Sequence, residues 1–408
     1  MFEWWRAAGP QARRAFVAAA FGWMLDAFDV MLYSMVVAAL IQDPQLHLTL
    51  PGAGILNSVT LIAAAGGGIL FGIAADRFGR KRALMASVFL YSIFTAACGF
   101  AQTALQLALF RIGLGIGFGG EWASGAALVS EWFPAEHRGK ALGFMQSTWA
   151  IGYGAAALVN LLVMPQWGWR GVFFVGVLPA LLVVWMQYYV EEPEIWRTRM
   201  SAGQAAGRIG DLFAPERARV TTAVTLMNAF SLFGWWGLNS WVPAYLRLPS
   251  EQGGVGLASS TMSLFVIFMQ VGMWFGYVTF GFIADAIGRR RAYVTYLLAA
   301  SLLLPTYGLL RNPALLLMLG PFVAFFGTGY FSGFGALTAE IYPTSIRATA
   351  QGFTYNLGRV ASAAAPYTVG SLAATHGFGA AFTVTGAVFL LAATVWMWIP
   401  ETRGAELT

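Results

Sequence analysis

Two carboxylates lie three residues apart inside a long apolar stretch of the chain. Asp26 and Asp29 belong to a mainly apolar run, residues 16–41, which is long enough to cross a bilayer. At the centre of a membrane helix each aspartate costs about 2.5 to 3.5 kcal/mol, so the pair needs partners, water or a proton. The spacing places both side chains on one helical face, where they can share a proton. We predict a proton-carrying site; the alternative is that the acids only hold this helix to a basic neighbour.

Two further charges in the first half of the chain fall within apolar stretches, Arg111 and Glu121. We expect Arg111 to polarise a neighbouring carboxylate or backbone group, with a purely packing role as the alternative. We expect Glu121 either to join the proton-coupling site or to form a satisfied pair with a neighbouring helix. The predicted proton-coupling residues are therefore Asp26, Asp29, Glu121 and Arg111.

The second half of the chain has one charge near the middle of an apolar stretch, Arg359. A planar guanidinium suits a carboxylate because it donates two parallel hydrogen bonds. We predict that Arg359 binds a substrate carboxylate; the alternative is a structural ion pair. Aromatic residues near it favour a small or partly apolar anion. The other residues expected to line the binding site are Gln146, Tyr153, Trp235, Asn239, Gln270, Tyr330, Tyr355 and Asn356.

The composition excludes a soluble globular protein. Of 408 residues, 58% are hydrophobic and only 10% are charged, with a mean hydropathy of +0.65. The single cysteine, Cys98, and three scattered histidines offer no disulfide framework and no metal-ligand spacing, so no metal and no cofactor is expected. The sequence has no phosphate-binding loop for ATP, which leaves gradients as the energy source. The expected partners are the lipid bilayer, protons and a small organic anion, without nucleic acid, and the protein is expected to be a monomer.

Twelve segments are long and apolar enough to be transmembrane helices, which predicts an all-α membrane protein. With the N-terminus in the cytoplasm, 19 of the 24 Lys and Arg residues lie on the cytoplasmic side, three outside and two within spans. Because cytoplasmic loops are enriched in Lys and Arg, both termini are predicted to be cytoplasmic, in a bacterial inner membrane. The predicted spans are 15–41, 51–75, 83–101, 105–133, 141–164, 171–190, 219–246, 259–284, 292–310, 314–341, 350–374 and 380–399.

One motif recurs at an offset of 209 positions. The turn Gly72–Arg82 reads GIAADRFGRKR, and Gly281–Arg291 reads GFIADAIGRRR. The same offset relates Glu131 to Glu340. A shared offset for separate motifs predicts the duplication of a six-helix unit. The predicted domains are an N-terminal six-helix bundle, 1–190, a cytoplasmic linker, 191–218, and a C-terminal six-helix bundle, 219–408.

Charged residues at the cytoplasmic ends of the spans are predicted to form ion pairs. Asp76 and Glu131 end their helices at the same level, so each can pair with arginines of the loops. Pairs that close in one conformation and break in another would control gating. Simple topology anchoring is the alternative, and it suits Arg80, Lys81 and Arg82 better. The predicted gating residues are Asp76, Arg77, Glu131, Arg138, Asp285, Arg289, Glu340 and Arg347.

The repeated loop motif, together with Arg111–Gly119 (RIGLGIGFG), resembles the signatures of the major facilitator superfamily. Residues 22–29 (GWMLDAFD) and 119–131 resemble those of the metabolite and sialate proton symporters, a group that includes monocarboxylate permeases of the lactate type. Aromatic-acid proton symporters share the D-x-x-D spacing. The resemblance implies two six-helix bundles related by pseudo-two-fold symmetry and transport by alternating access. It also implies a proton-linked role for Arg111 and an anion-binding role for Arg359.

The combined expectation is a secondary active transporter, not an enzyme, that moves a small organic carboxylate such as a monocarboxylate together with protons. A first alternative is a proton-driven exporter of amphipathic compounds, which would use the same buried acids. A second alternative is a transporter-like sensor or channel, which would not take up protons stoichiometrically with a substrate.

Overall fold

In a computed structural model the described part of the chain is all-helical. The structure describes residues 5, 8–133, 135–192, 209–343 and 346–403, without the side chains of 76, 122, 123, 127, 130, 135–139, 209 and 347–349. The first six α-helices of these residues are α1 (Pro10–Gln42), α2 (Leu50–Phe78), α3 (Arg80–Cys98), α4 (Ala104–Trp132), α5 (Ala135–Val175) and α6 (Ala180–Tyr189). The next seven are α7 (Ala218–Arg247), α8 (Ser259–Ile287), α9 (Arg289–Leu309), α10 (Pro313–Thr328), α11 (Phe334–Ile341), α12 (Arg347–Ser362) and α13 (Ala364–Val395).

Local sequence explains where several helices begin. Helix α1 has Pro10 in its first turn. Backbone N–H groups of a first turn have no intrahelical acceptor, so the N–H that proline lacks costs no hydrogen bond there. The Thr103 hydroxyl accepts a hydrogen bond from the Gln106 N–H at 3.2 Å and so caps α4. The Asn312 side chain caps α10 in the same way, accepting from the Ala314 N–H at 2.9 Å.

A single glycine separates α2 from α3, and another separates α8 from α9. Gly79 has φ 108° and Gly288 has φ 101°, a backbone conformation that other residues adopt only with strain. Both glycines stand at the equivalent place in the repeated motif. The motif therefore encodes the same sharp reversal between two helices in each half of the chain.

Seven helical segments of the described residues are long and apolar enough to cross a membrane. Two of them, Lys140–Tyr189 with 50 residues and Ala350–Val395 with 46, have the length of two crossings each. The backbone turns inside these segments at Gly168, with φ 62°, and at Gly377, with φ 79°. These turns fall in the predicted loops between spans five and six and between spans eleven and twelve.

Two predicted spans are interrupted. The sixth, 171–190, contains a turn at 176–179 before α6 begins. The tenth, 314–341, changes from α10 to a short 3₁₀ segment, Gly329–Gly333, before α11. Hydropathy cannot show such breaks, because every residue around them is apolar or small whether the helix continues or not.

Two faces of α4 carry glycines four residues apart. Gly115 and Gly119 face the backbone of α2, whereas Gly113 and Gly117 face α3. A Cβ atom at Gly117 would lie 2.6 Å from the backbone nitrogen of Tyr91. Small residues at these positions let the helices approach closely, and they bring Tyr91 against α4.

By its internal contacts the chain divides into two compact units. The first comprises Met1–Thr49, Val59–Gln204 and Ala258–Ile267. In it, α1 packs against α4 and α5, and α3 packs against α4. The second comprises Leu50–Ser58, Ala205–Leu257 and Phe268–Thr408. In it, α7 packs against α12 and α13, and α9 packs against α13.

The first turns of α2 and α8 therefore do not group with the rest of their helices. Within the second unit, the Asn57 side-chain amide of α2 donates to the Ser240 hydroxyl of α7 at 2.8 Å. Within the first unit, the Asn160 side-chain amide of α5 donates to the Ser263 hydroxyl of α8 at 2.9 Å. Buried polar side chains thus hold both helix starts in this conformation.

Candidate functional site

Helix α1 carries two fully buried acids. Asp26 and Asp29 each have an exposed fraction of 0%. Every residue of α1 from 26 to 38 is buried, so this part of the helix is surrounded by protein. Thr95 of α3 lies beside the Asp29 carboxylate. The two acids predicted from the sequence thus face the interior of the first unit, where an ionised carboxylate is costly without a proton or a partner.

A third acid and a tyrosine meet α1 at Gly22. A Cβ atom at Gly22 would lie 2.7 Å from Oε1 of Glu121, so the glycine makes room for this carboxylate. The Tyr91 hydroxyl donates to the Gly22 carbonyl at 3.4 Å. The carboxylates of Asp26, Asp29 and Glu121 all lie within electrostatic reach of that hydroxyl. The structure therefore assembles the three predicted acids, from α1 and α4, around a tyrosine of α3.

The Arg111 guanidinium stacks on the ring of Tyr33. Its side chain is fully buried, and its guanidinium carbon is 3.7 Å from the ring centroid of Tyr33. Tyr33 follows Asp29 by one helical turn on α1. Cys98 of α3 also lies near Arg111. A cation held over a ring retains its charge in a dry site, so the first unit also holds a buried, fixed positive charge.

Two residues of the predicted substrate set, Gln146 and Tyr153, belong to the first unit. Both are buried, and both lie on α5. Helix α5 packs against α1, with Gly152 directly against the Met24 carbonyl. Gln146 and Tyr153 thus lie on α5, the helix that packs against α1 and its two aspartates.

The second unit buries the predicted anion-binding arginine. Arg359 is 2% exposed, and its guanidinium carbon is 5.3 Å from the ring centroid of Tyr355, one turn earlier on α12. The preceding residue, Gly358, packs on α7: a Cβ atom there would lie 2.9 Å from Cβ of Asn228. Close packing of α12 on α7 holds the guanidinium inside the unit.

An aromatic group in the second unit includes two more predicted substrate residues. The Phe331 ring centroid is 6.3 Å from that of Trp235 and 4.8 Å from that of Tyr330. The Tyr330 hydroxyl donates to the Ser231 carbonyl at 3.3 Å. Through these contacts the 3₁₀ segment packs against α7, and their aromatic side chains form one continuous surface, the aromatic wall.

The remaining predicted substrate residues are amides. Asn239 donates to the Trp235 carbonyl at 3.0 Å and Asn356 to the Gly352 carbonyl at 2.9 Å, so both amino groups bond within their own helices. Gln270 of α8 is 5% exposed, and its Oε1 has no hydrogen-bond partner among the described residues. A buried acceptor of this kind is available to a ligand donor.

Equivalent ion pairs form at the starts of α3 and α9. The Arg80 guanidinium binds Glu131 Oε1 at 3.0 Å, and the two side chains are 8% and 11% exposed. Arg289 binds Glu340 Oε1 at 2.9 Å and Asp285 Oδ1 at 2.5 Å. The offset of 209 positions relates the Arg80 pair to the Arg289 pair.

From the sequence, Arg80 is predicted to anchor the topology and Arg77 to act in gating. In the structure Arg77 is exposed in the last turn of α2, whereas Arg80 opens α3 and reaches the end of α4. The repeat offset, which relates Arg80 to Arg289, was the signal that could have found it. The predicted gating side chains of Asp76, Arg138 and Arg347 lie outside the described residues.

Two glutamates that the sequence analysis did not single out cap the same helix starts. Glu192 accepts two backbone N–H bonds at the start of α3, at 2.8 and 3.3 Å. Glu401 accepts two at the start of α9, at 2.9 and 3.1 Å. Burial alone would raise the pKa of Glu401, but backbone N–H donors outweigh it and hold the pKa below its ordinary value. Negative charge at a helix N-terminus stabilises both starts.

The sequence as a whole matches the profile described as Major Facilitator Superfamily, over residues 19–279 and 248–407. The chain belongs to the major facilitator superfamily. It is 34% identical over 406 residues to a Haemophilus influenzae protein whose name assigns it to metabolite transport, covering 97% of each chain. It is 32% identical over 391 residues to the cis,cis-muconate transport protein of Acinetobacter baylyi, covering 93% of this chain and 92% of that one.

The fold is also found among solved structures. The xylose transporter XylE from E. coli, in a partially occluded inward-open conformation, superposes with a TM-score of 0.78 at 22% identity, covering 98% of this chain and all of that one. The major facilitator fold has twelve transmembrane helices in two six-helix bundles, so the predicted fold class and family are confirmed. The protein is a multi-pass membrane transporter of this superfamily and not an enzyme.

Proposed function

We propose that this major facilitator is a proton-coupled symporter that moves a small organic carboxylate by alternating access. The observation that carries the proposal is the buried acid cluster of the first unit, Asp26, Asp29 and Glu121 around Tyr91. Buried acids in a membrane domain mark proton pathways, because they exchange a proton at lower cost than they bear a full charge. Arg111, fixed over Tyr33, is a buried cation of the same unit.

The substrate class follows from the second unit. Arg359 is a buried cation with an aromatic neighbour, a combination that suits a planar or partly apolar carboxylate. The muconate transport protein among its relatives carries an unsaturated carboxylate by name, which supports this class. Trp235, Tyr330 and Gln270 would supply the aromatic wall and a hydrogen-bond acceptor.

The proposed setting is a bacterial inner membrane with both termini in the cytoplasm, as the distribution of Lys and Arg favours. In that orientation a proton gradient directed inwards would drive uptake. Export of amphipathic compounds would use the same acids with substrate moving against the proton, and a sensor or channel would show no fixed proton-to-substrate ratio.

The test is uptake into proteoliposomes that contain the purified protein. An imposed pH gradient, acidic outside, is expected to drive the accumulation of labelled muconate, benzoate or a short monocarboxylate, with simultaneous alkalinisation outside. Unlabelled substrate inside should accelerate entry of label by counterflow. Vesicles in which none of these acids accumulates, although the protein is folded and correctly inserted, would end the proposal.

Arg359 variants test the anion site separately. Arg359→Lys keeps the charge without the planar fork, and Arg359→Gln loses both, so carboxylate affinity should fall in the order Arg, Lys, Gln. The neutral variant should lose about 2 to 5 kcal/mol of binding free energy. Arg290→Gln, which removes an exposed arginine outside the spans, is the matched control and should bind as the wild type does. Wild-type affinity in well-folded Arg359→Gln would refute the role of Arg359.

A further inference from the structure

Tyr91 lies within electrostatic reach of all three buried acids but has no role in the transport proposal so far. It is fully buried on α3, and its backbone lies against Gly117 of α4. Its hydroxyl contacts the Gly22 carbonyl, and the Glu121 Oε1 lies 2.7 Å from where a Cβ atom of the same glycine would be. One residue of α1 thus brings a phenol of α3 and a carboxylate of α4 to the same point.

Acids from two helices lie within electrostatic reach of the hydroxyl. Asp26 and Asp29 of α1 and Glu121 of α4 all act on it electrostatically. Among the described residues, α5 and α6, which also pack against α3, add no charged group to these three. Cys98 of α3 itself lies within electrostatic reach of Asp29 and also of Arg111 of α4.

The hydrogen bond that the hydroxyl makes is weak. At 3.4 Å, its contact with the Gly22 carbonyl is longer than a normal O–H···O bond. A phenol both donates and accepts, so its hydrogen can turn from this carbonyl to a carboxylate while a lone pair accepts from a protonated acid. A ring needed only for packing would be served equally well by phenylalanine.

We propose that Tyr91 relays protons between the aspartates of α1 and Glu121 of α4. The protonated aspartate gives its proton to the Tyr91 oxygen as the phenolic proton passes to the Glu121 carboxylate. One O–H bond breaks and one forms at each transfer, and Tyr91 stays neutral throughout. Through this relay, Glu121 and the aspartates Asp26 and Asp29 exchange protons and act as a single proton-binding site. This inference rests on the proposed proton coupling, and it names the residue through which the acids exchange.

The test is Tyr91→Phe, which keeps the ring and removes the hydroxyl. In proteoliposomes, pH-driven uptake should slow by at least about tenfold, as expected for a lost proton-transfer group. Counterflow at equal pH, in which protons need not be released, should be much less affected. Tyr296→Phe is the matched control, because it removes one buried hydroxyl from α9, the equivalent helix of the second half, and should keep wild-type uptake.

Two measurements keep the inference testable if Tyr91→Phe folds poorly or the transported acid is not found. Incorporation of 3,5-difluorotyrosine at position 91 preserves ring and hydroxyl but makes the phenol more acidic, and should shift the pH profile of uptake. Infrared titration of the carboxylic C=O stretch, on purified protein without substrate, should show a shifted midpoint in Tyr91→Phe or the fluorinated protein.

The outcomes separate the two proposals. Wild-type vesicles that transport no carboxylate, with an infrared titration that responds to Tyr91, would overturn the transport proposal and support the relay. Wild-type coupling together with an unchanged pH profile and an unchanged infrared titration in both Tyr91 variants would overturn the relay alone.

Discussion

At the scale of single residues, the molecule concentrates its buried acids around one hydroxyl. Asp26, Asp29 and Glu121 come from α1 and α4, and each is 0% exposed. Three carboxylates in one dry site favour shared protons over three full charges. Replacing an acid by its amide keeps the volume and removes the titratable group, which makes this substitution the most direct probe.

We expect Asp26→Asn and Asp29→Asn each to abolish pH-driven accumulation while the protein still inserts and folds. The amide cannot carry a proton through the cycle, so uptake should not exceed equilibration. Asp43→Asn is the matched control: Asp43 lies outside the predicted spans, pairs with Arg170 at 3.5 Å, and should leave accumulation intact. The measurement is uptake of labelled carboxylate under an imposed pH gradient. Undiminished accumulation in both amide variants would contradict the assignment.

The sequence was sufficient to find the acids but not the residue between them. An aspartate in an apolar span is conspicuous because its burial is costly. Tyr91 carries no charge and fits an apolar helix, so its type gives no such signal. Its hydroxyl contacts Gly22 and its backbone lies against Gly117, two glycines on different helices that only the folded chain brings together.

At the scale of helices, the starts of α3 and α9 are built alike. Each follows a glycine with positive φ, receives a carboxylate on its first N–H groups, and sends its first arginine to the end of another helix. The duplication predicted that the two helix starts are alike. It did not predict which arginine of each loop forms the ion pair with the glutamate. Arg80 pairs because the reversal at Gly79 turns it towards α4, and sequence spacing does not reveal that direction.

The pair at α3 can be tested against a neighbouring arginine. Arg80→Gln leaves Glu131 partly buried without its cation, and removing one partner of a buried pair costs about 3 kcal/mol or more, so the melting temperature should fall clearly. Arg77→Gln removes an exposed charge three residues earlier and should change stability by about 0.5 kcal/mol or less. Arg289→Gln should behave as Arg80→Gln does. Equal melting temperatures for Arg80→Gln and Arg77→Gln would contradict the importance of this pair.

At the scale of the whole molecule, the chain contacts do not follow the predicted bundles at every residue. The first turns of α2, Leu50–Ser58, group with the second unit, and those of α8, up to Ile267, group with the first. The sequence could not predict this exchange, because both turns belong to continuous apolar helices. The hydrogen bond from Asn57 to Ser240 joins helices predicted to belong to different bundles. Alternating access, as proposed, requires such a bond to open once in every cycle.

A crosslink at this position is expected to stop transport. In a Cys98→Ser background, which removes the chain's single cysteine, Asn57→Cys and Ser240→Cys would be joined by a short, reducible thiol crosslinker. Uptake should be lost in the crosslinked double variant and return on reduction, whereas each single-cysteine variant treated in the same way should keep its activity. The matched control joins Asp43→Cys to Arg170→Cys, an ion-paired position that lies wholly within the first predicted bundle. That crosslink should leave uptake unchanged, because no opening of the predicted bundles is required there. Full transport by the crosslinked 57–240 protein, with crosslinking verified by mass, would show that the first turn of α2 stays on α7 throughout the cycle.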